Sequence, residues 1–163
     1  PRAPPSDYRS LCSAALDQPL VLSKYRAMTQ IFITLPVADL ERSTAYYAAI
    51  GLTFNPAMSD HNSACFVIEE GHSAFMIVTR EFFQTMTELP IGDPATAPSG
   101  ATSIFLDTRD EVDARATAAL AAGGTEPSPA SDYGFMYQRG IADPDGNHLE
   151  FGWFDPAAAA PTA

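Results

Sequence analysis

The chain has few cysteines, few basic residues and no long apolar segment. Cys12 and Cys65 are the two cysteines among 163 residues, and neither lies in a CxxC motif or a Cys/His cluster. This pattern excludes a dense disulfide framework and predicts a reducing, cytoplasmic location. No apolar run approaches the ~20 residues that a membrane-spanning helix needs, so a membrane is not an expected partner.

Basic residues are outnumbered by acidic residues, 9 against 20, and the formal net charge is -11. A surface of this sign repels the phosphate backbone of nucleic acids and anionic lipid headgroups. Nucleic acid is therefore not an expected partner either. The length fits one domain, or two small halves that share a core.

The two ends of the chain differ in composition from the rest. Residues 1–29 contain four prolines and show little periodicity, which indicates an N-terminal extension or a vector-derived remnant. Residues 156–163 form the low-complexity stretch PAAAAPTA and are predicted to be a disordered tail. The predicted domain spans 30–155, with module one at 30–87, a Pro/Gly-rich linker at 88–100 and module two at 101–155.

The sequence between these ends reads as two copies of one βαβββ unit. A β-rich strand at 31–37 precedes Asp39, a predicted helix N-cap, and Gly51 is the predicted helix stop. The second copy has a strand at 102–108, Asp110 as the predicted cap and Gly123 as the stop. The two caps are 71 residues apart and the two stops 72 apart, which indicates duplication. The remaining predicted strands are 52–56, 63–70, 72–79, 134–142 and 148–154, and 79–86 is predicted to be a short helix.

Alternation predicts which face each strand side chain occupies. In 148–154, Leu149, Phe151 and Trp153 share a face that must pack under helices, so Glu150 points to the opposite, concave side. The same reasoning predicts a ligand-binding cleft on the concave side. Its predicted residues are Phe32, Thr34, Phe75, Ser103, Phe105, Tyr137 and Arg139. Arg139 is either a clamp for an anionic ligand or a residue paired with a nearby acid.

The stretches LPVADLERSTAYYAAIGLTF and DPDGNHLEF resemble the vicinal oxygen chelate superfamily, which includes glyoxalase I, bleomycin resistance proteins and extradiol dioxygenases. The segments TRDEVDARATAALAAGG and DYGFMYQRGIADPDG are similar to bacterial glyoxalase-like proteins described as lactoylglutathione lyases. The resemblance implies an α+β fold in which two βαβββ modules form a half-open, eight-stranded concave sheet. It also implies a homodimer, because such sheets leave edges to cover.

Catalytic members of that superfamily hold a divalent metal ion with His, Glu or Gln side chains on the first and last strand of each module. The matching positions here are Phe32, Phe75, Ser103 and Glu150. One carboxylate does not make a metal site. Because the sequence departs from the family's ligand pattern in this way, we expect no native metal and no other cofactor. His148 is the alternative donor, because it shares a strand face with Glu150.

Two hypotheses about function follow from these positions. In the first, the protein binds a small organic molecule in an aromatic cleft without a metal. Glu150 is then either a structural acceptor tied to Ser103, Thr34 or Tyr137, or a general base or anchor for the ligand. In the second, it is a metal-dependent lyase, isomerase or dioxygenase of glyoxalase type, with lactoylglutathione lyase-like or dioxygenase-like activity, and Glu150 is the catalytic residue. A second His, Asp or Glu beside Glu150 in space would favour the enzyme.

Overall fold

The structure is a computed structural model that describes residues 29–158. The predicted tail from 159 onwards and the predicted extension up to 28 lie outside the described residues. None of the helices in the described part is long and apolar enough to span a bilayer. The strands are β1 (Ile31–Val37), β2 (Thr53–Asn55), β3 (Ser63–Glu69), β4 (Ser73–Thr79), β5 (Ala101–Phe105), β6 (Ser131–Asp132), β7 (Met136–Ala142) and β8 (His148–Phe154). The helices are α1 (Leu40–Ala49), α2 (Arg80–Gln84) and α3 (Arg109–Ala121), with a 3-10 turn at Pro56–Met58.

The strands form two four-stranded sheets, in the orders β1-β4-β3-β2 and β5-β8-β7-β6. In each sheet the first and last strands of the module pair in parallel, and the other pairs are antiparallel. The predicted α+β fold of two βαβββ modules is therefore confirmed. The structure differs from the expected single eight-stranded sheet. Each module has its own four-stranded sheet, and the side chains of a common core join the two modules.

The helix starts show one correct and one wrong cap prediction. Asp39 caps α1, because its carboxylate accepts a hydrogen bond from the backbone N–H of Arg42 at 2.9 Å. The cap of α3 is Thr108, not Asp110. Thr108 accepts from the N–H of Glu111, and the Glu111 carboxylate accepts from the N–H of Thr108 in return. This reciprocal capping box satisfies two free backbone donors and starts the helix earlier than predicted.

The turn at Asp143–Asn147 joins the two modules. The Asp145 carboxylate accepts hydrogen bonds from the backbone N–H of Ala38 at 2.8 Å and from the Ser43 hydroxyl at 2.9 Å. It also pairs with Arg42 at 2.7 Å. These three groups lie at the start of α1, so a turn of module two carries the negative charge that the N-terminus of a module-one helix favours.

Two adjacent tyrosines of α1 have opposite hydrogen-bonding states. Tyr47 donates from its hydroxyl to Asp143 at 2.9 Å, whereas the buried hydroxyl of Tyr46 has no partner among the described residues. Burial, reinforced by the nearby Asp143 charge, raises the pKa of both phenols, so both remain protonated donors at neutral pH. An unpaired buried donor costs free energy, whereas a paired one does not.

We therefore expect the two Tyr→Phe substitutions to change stability in opposite directions. Tyr46→Phe should leave the free energy of unfolding unchanged or raise it by up to about 1 kcal/mol, because it removes a group that is desolvated without compensation. Tyr47→Phe should lower it by about 1–3 kcal/mol, because Asp143 loses a donor. Urea denaturation at neutral pH measures both values, and a loss of equal size in the two variants would contradict the assignment.

Candidate functional site

The open face of each sheet is the face opposite its helix. Directly paired residues of neighbouring strands share a face, and Phe32 pairs with Ala74, Ser103 with Glu150, and Phe105 with Gly152. The open faces carry five of the residues predicted for the site, and their role in binding stays a prediction. These five are Phe32, Thr34, Ser103, Phe105 and Glu150.

The predicted position of Phe75 in the cleft is wrong. Phe75 pairs with Ile33 and Phe66, is 0% exposed, and its ring centroid lies 5.4 Å from that of Tyr47 in α1. It therefore belongs to the core under the helix. The strand SAFMIVT is apolar on both faces, so alternation alone does not determine which face the helix covers.

The predicted positions of Tyr137 and Arg139 in the cleft are also wrong. Tyr137 donates from its hydroxyl to Asp113 of α3 at 2.8 Å, which places it on the helix side. Arg139 pairs with Glu126 at 2.8 Å and with Asp113 at 3.1 Å. The hydrogen bond from Arg139 lowers the pKa of the Glu126 carboxyl. The predicted alternative for Arg139, pairing with a nearby acid, is what the structure shows.

Glu150 lies on the open face of module two beside a space without side chains. Its Oε2 atom accepts a hydrogen bond from the Ser103 hydroxyl at 2.5 Å, which is one of the contacts expected for a structural acceptor. On its other side Glu150 pairs with Gly140, and a Cβ atom built there would meet nothing within 4 Å. The carboxylate therefore borders an area of bare backbone at Gly140, the open floor. Among the described residues, none donates a hydrogen bond to Oε1.

Next to this floor, Phe105 and Phe154 form a stacked aromatic pair. Their ring centroids are 4.4 Å apart and their planes differ by 5°. The two side chains are 46% and 47% exposed, and the Phe105 ring covers Gly152, where an added Cβ would lie 2.6 Å from the ring. Phe154 was not predicted as a site residue, although it lies on the same face of the strand as Glu150. Because Gly152 has no side chain, the ring of Phe105 can lie directly over its backbone.

Phe32 lies in a separate hollow on the open face of module one. Apolar side chains line part of it, and its polar lining consists of Gln30, Asn55, Glu69, Glu70, His72 and Ser73. Its apolar lining consists of Phe32, Met58, Cys65, Val67 and Ala74. Burial raises the pKa of the Cys65 thiol, so this cysteine is not activated as a nucleophile. All lining residues belong to module one, so Phe32 and Phe105 do not line one common hollow as predicted.

His148 lines another open hollow, where the linker meets both modules. Leu35 of β1, Pro94 of the linker and Thr102 of β5 contribute to its wall. His148 is thus on the same face as Glu150, as predicted, but it opens towards the linker. The linker itself is held by Arg80, which donates to the carbonyl oxygens of Ile91 and Gly92.

The residues at the four positions of the family's metal do not fit a divalent ion. By strand pairing, the module-one counterpart of Glu150 is Ala74 and not Phe75, because Ala74 is opposite Phe32 as Glu150 is opposite Ser103. The four side chains then offer one carboxylate, one hydroxyl and no nitrogen donor. Across residues 29–158, no three His, Cys, Asp or Glu side chains are grouped closely enough to hold a metal. The donor chemistry, rather than geometry, therefore argues against a metal here.

Comparison with known proteins gives one family match and many matches to solved structures. Residues 29–69 match the family described as bleomycin resistance protein-like N-terminal. The search of curated proteins found no significant match. A glyoxalase-related enzyme from Fulvimarina pelagi is similar in structure, with a TM-score of 0.65 and 22% identity over 77% of this chain and 88% of that one.

Two further solved structures share the fold. A glyoxalase/bleomycin resistance protein/dioxygenase family enzyme from Burkholderia phytofirmans has a TM-score of 0.63 and 18% identity, over 76% of this chain and 97% of that one. TnmS3, an antibiotic binding protein from Streptomyces, has a TM-score of 0.56 and 19% identity, over 79% of this chain and 98% of that one. Residues 29–69, within the first module, thus match a bleomycin resistance protein-like model, and the whole two-module domain has the fold of solved glyoxalase/bleomycin resistance proteins.

Proposed function

We propose that the protein binds a small organic molecule on the open faces of its sheets and holds no metal ion of its own. The observation that carries the proposal is the exposure of aromatic side chains on these faces. Phe32, Phe105 and Phe154 are 43%, 46% and 47% exposed, whereas Phe66, Phe75 and Phe151 on the helix side are fully buried. Exposed aromatic rings offer large contact areas to a ligand at a low cost in side-chain entropy.

Two further points support binding rather than metal-dependent catalysis. TnmS3, which shares the fold, is an antibiotic binding protein, so the architecture can serve binding. The alternative, a metal-dependent lyase, isomerase or dioxygenase, depends on Glu150, whose Oε2 atom already accepts from Ser103. In the described part of the chain, no second His, Asp or Glu side chain is hydrogen-bonded to Glu150. The homodimer and the cytoplasmic location stay predictions.

Metal loading separates the two functions directly. Protein purified without a nickel column, loaded separately with Mn²⁺, Fe²⁺, Ni²⁺ and Zn²⁺ and then dialysed, should retain no more than background metal, because one carboxylate holds such ions weakly. Glu150→Ala serves as the control and should give the same values by elemental analysis. Retention of about one ion per chain that is lost in Glu150→Ala would support the metal-dependent alternative instead.

Ligand binding itself is tested by screening chemically diverse aromatic compounds by ligand-observed NMR. We expect hits whose affinity falls at least fivefold in Phe105→Ala or Phe32→Ala, because these rings supply the contact area. Leu120→Ala is the matched control, because Leu120 is 37% exposed but lies on α3, away from the open faces. Absence of hits, or hits that are insensitive to both open-face substitutions, would overturn the proposal.

A further inference from the structure

The open face of module two combines a carboxylate, a floor without side chains and an aromatic pair. Glu150 is two residues from Gly152, over which the ring of Phe105 lies, so the carboxylate and the aromatic pair are neighbouring rows of the same sheet face. Residues two apart on a strand are about 7 Å apart. That separation matches a planar ring system with a polar group on a short side chain.

The charges around this face favour a cationic ligand. The described residues contain five arginines and no lysine, and none of the five lies on an open face. Four of them bind carboxylates or carbonyl oxygens elsewhere in the structure. Among residues 29–158, an anionic ligand would therefore meet Glu150 without an arginine or lysine to compensate its charge, in a chain whose formal net charge is already -11. The four arginines are Arg42, Arg80, Arg109 and Arg139.

The hydrogen bonds of Glu150 leave it able to accept from a ligand. Ser103 occupies Oε2, and no described residue donates to Oε1. Gly140, which pairs with Glu150, leaves open space above the backbone on the side of β7. A protonated amine at this point would form a charge-assisted hydrogen bond, the stronger class of such bonds.

We infer that the open face of module two binds a planar organic cation, with the ring system against Phe105 and Phe154 and a protonated amine on Glu150. The inference rests on the proposed binding function and names the chemical class of the ligand. It disfavours ligands with several carboxylates, such as glutathione conjugates, for this face. The floor beside Gly140 provides the space for the chain that links the ring to the amine.

A matched set of probes tests the charge requirement. 1-Naphthylmethylammonium, 1-naphthylmethanol and 1-naphthoate share a ring system and differ in charge, and isothermal titration calorimetry measures each affinity. We expect the cation to bind at least tenfold more tightly than the anion, and Glu150→Gln to reduce cation binding about tenfold while changing alcohol binding less than twofold. Glu81→Gln makes the same change in net charge on α2 and should leave all three affinities unchanged.

A second variant tests the position without removing a charge. Gly140→Leu fills the open floor and should weaken binding of both the cation and the alcohol at least tenfold, while a circular dichroism spectrum like that of the unsubstituted protein confirms folding. Equal binding of cation and anion, no effect of Glu150→Gln, or no binding of the cation would overturn the inference. Cation binding that depends on Phe105 but not on Glu150 would retain the proposed function and remove only the charge requirement.

Discussion

Asp143→Ala is expected to lower the free energy of unfolding by about 3–4 kcal/mol. Asp143 is 3% exposed, and its carboxylate accepts four hydrogen bonds. The donors are the Tyr47 hydroxyl at 2.9 Å, the Asn147 side-chain amide at 3.0 Å, and the backbone N–H groups of Asp145 at 2.9 Å and Asn147 at 2.8 Å. Alanine would leave these donors without their acceptor in a region closed to water, which is why the expected loss exceeds that of a single hydrogen bond.

The loss should also weaken the joint between the modules. The hydrogen bonds of Asp143 fix the turn that presents Asp145 to Ala38, Ser43 and Arg42 at the start of α1. A domain of this size is stable by only about 5–15 kcal/mol, so the expected effect is a large fraction of the total. Because the joint connects residues from both modules, we expect unfolding to remain a single transition at lower denaturant concentration.

Urea denaturation followed by far-UV circular dichroism measures this prediction. Asp39→Ala is the matched control, because it also removes a carboxylate that accepts from backbone N–H, but at an exposed helix cap. Its expected loss is about 1 kcal/mol. The importance assigned to Asp143 would be wrong if the two substitutions cost the same.

The sequence predicted the elements of the fold because their signals are local. Each signal lies in the element that it defines or within a few residues of it. Examples are Asp39 before α1, the glycines at the helix ends, and the alternation in β1 and β8. Gly51 and Gly123 do adopt positive φ, at 83° and 99°, as helix stops of this kind require. The two-residue strand β6 has no comparable signal, since alternation cannot be recognised over two positions.

The site was predicted less completely, because it depends on which face a helix covers. Tyr137 and Arg139 share one face of β7, and alternation predicted this face to be the cleft side. Their polar ends instead reach Asp113 of α3, on the helix side. Asp113 lies in another element, 24 and 26 residues away in sequence. The hydrogen bond from Tyr47 to Asp143 spans 96 residues and likewise has no local signal.

Gly146→Ala is expected to lower the free energy of unfolding by about 2–4 kcal/mol. Gly146 has a φ of 89°. This backbone conformation is unfavourable for any L-residue that has a Cβ atom. In addition, a Cβ atom at this position would lie 2.5 Å from the backbone nitrogen of Ala95 in the linker. A backbone atom cannot rotate away as a side chain can, so the linker would have to move off the turn.

Gly134→Ala separates the two costs. Gly134 also has positive φ, at 80°, but a Cβ there would meet nothing within 4 Å. It should therefore lose only about 1 kcal/mol, the cost of the backbone conformation. The difference between the two variants, measured by urea denaturation, then reports how firmly the linker packs on the turn. Equal losses would mean that the linker shifts freely, and the hollow that His148 shares with Pro94 would then have no fixed shape.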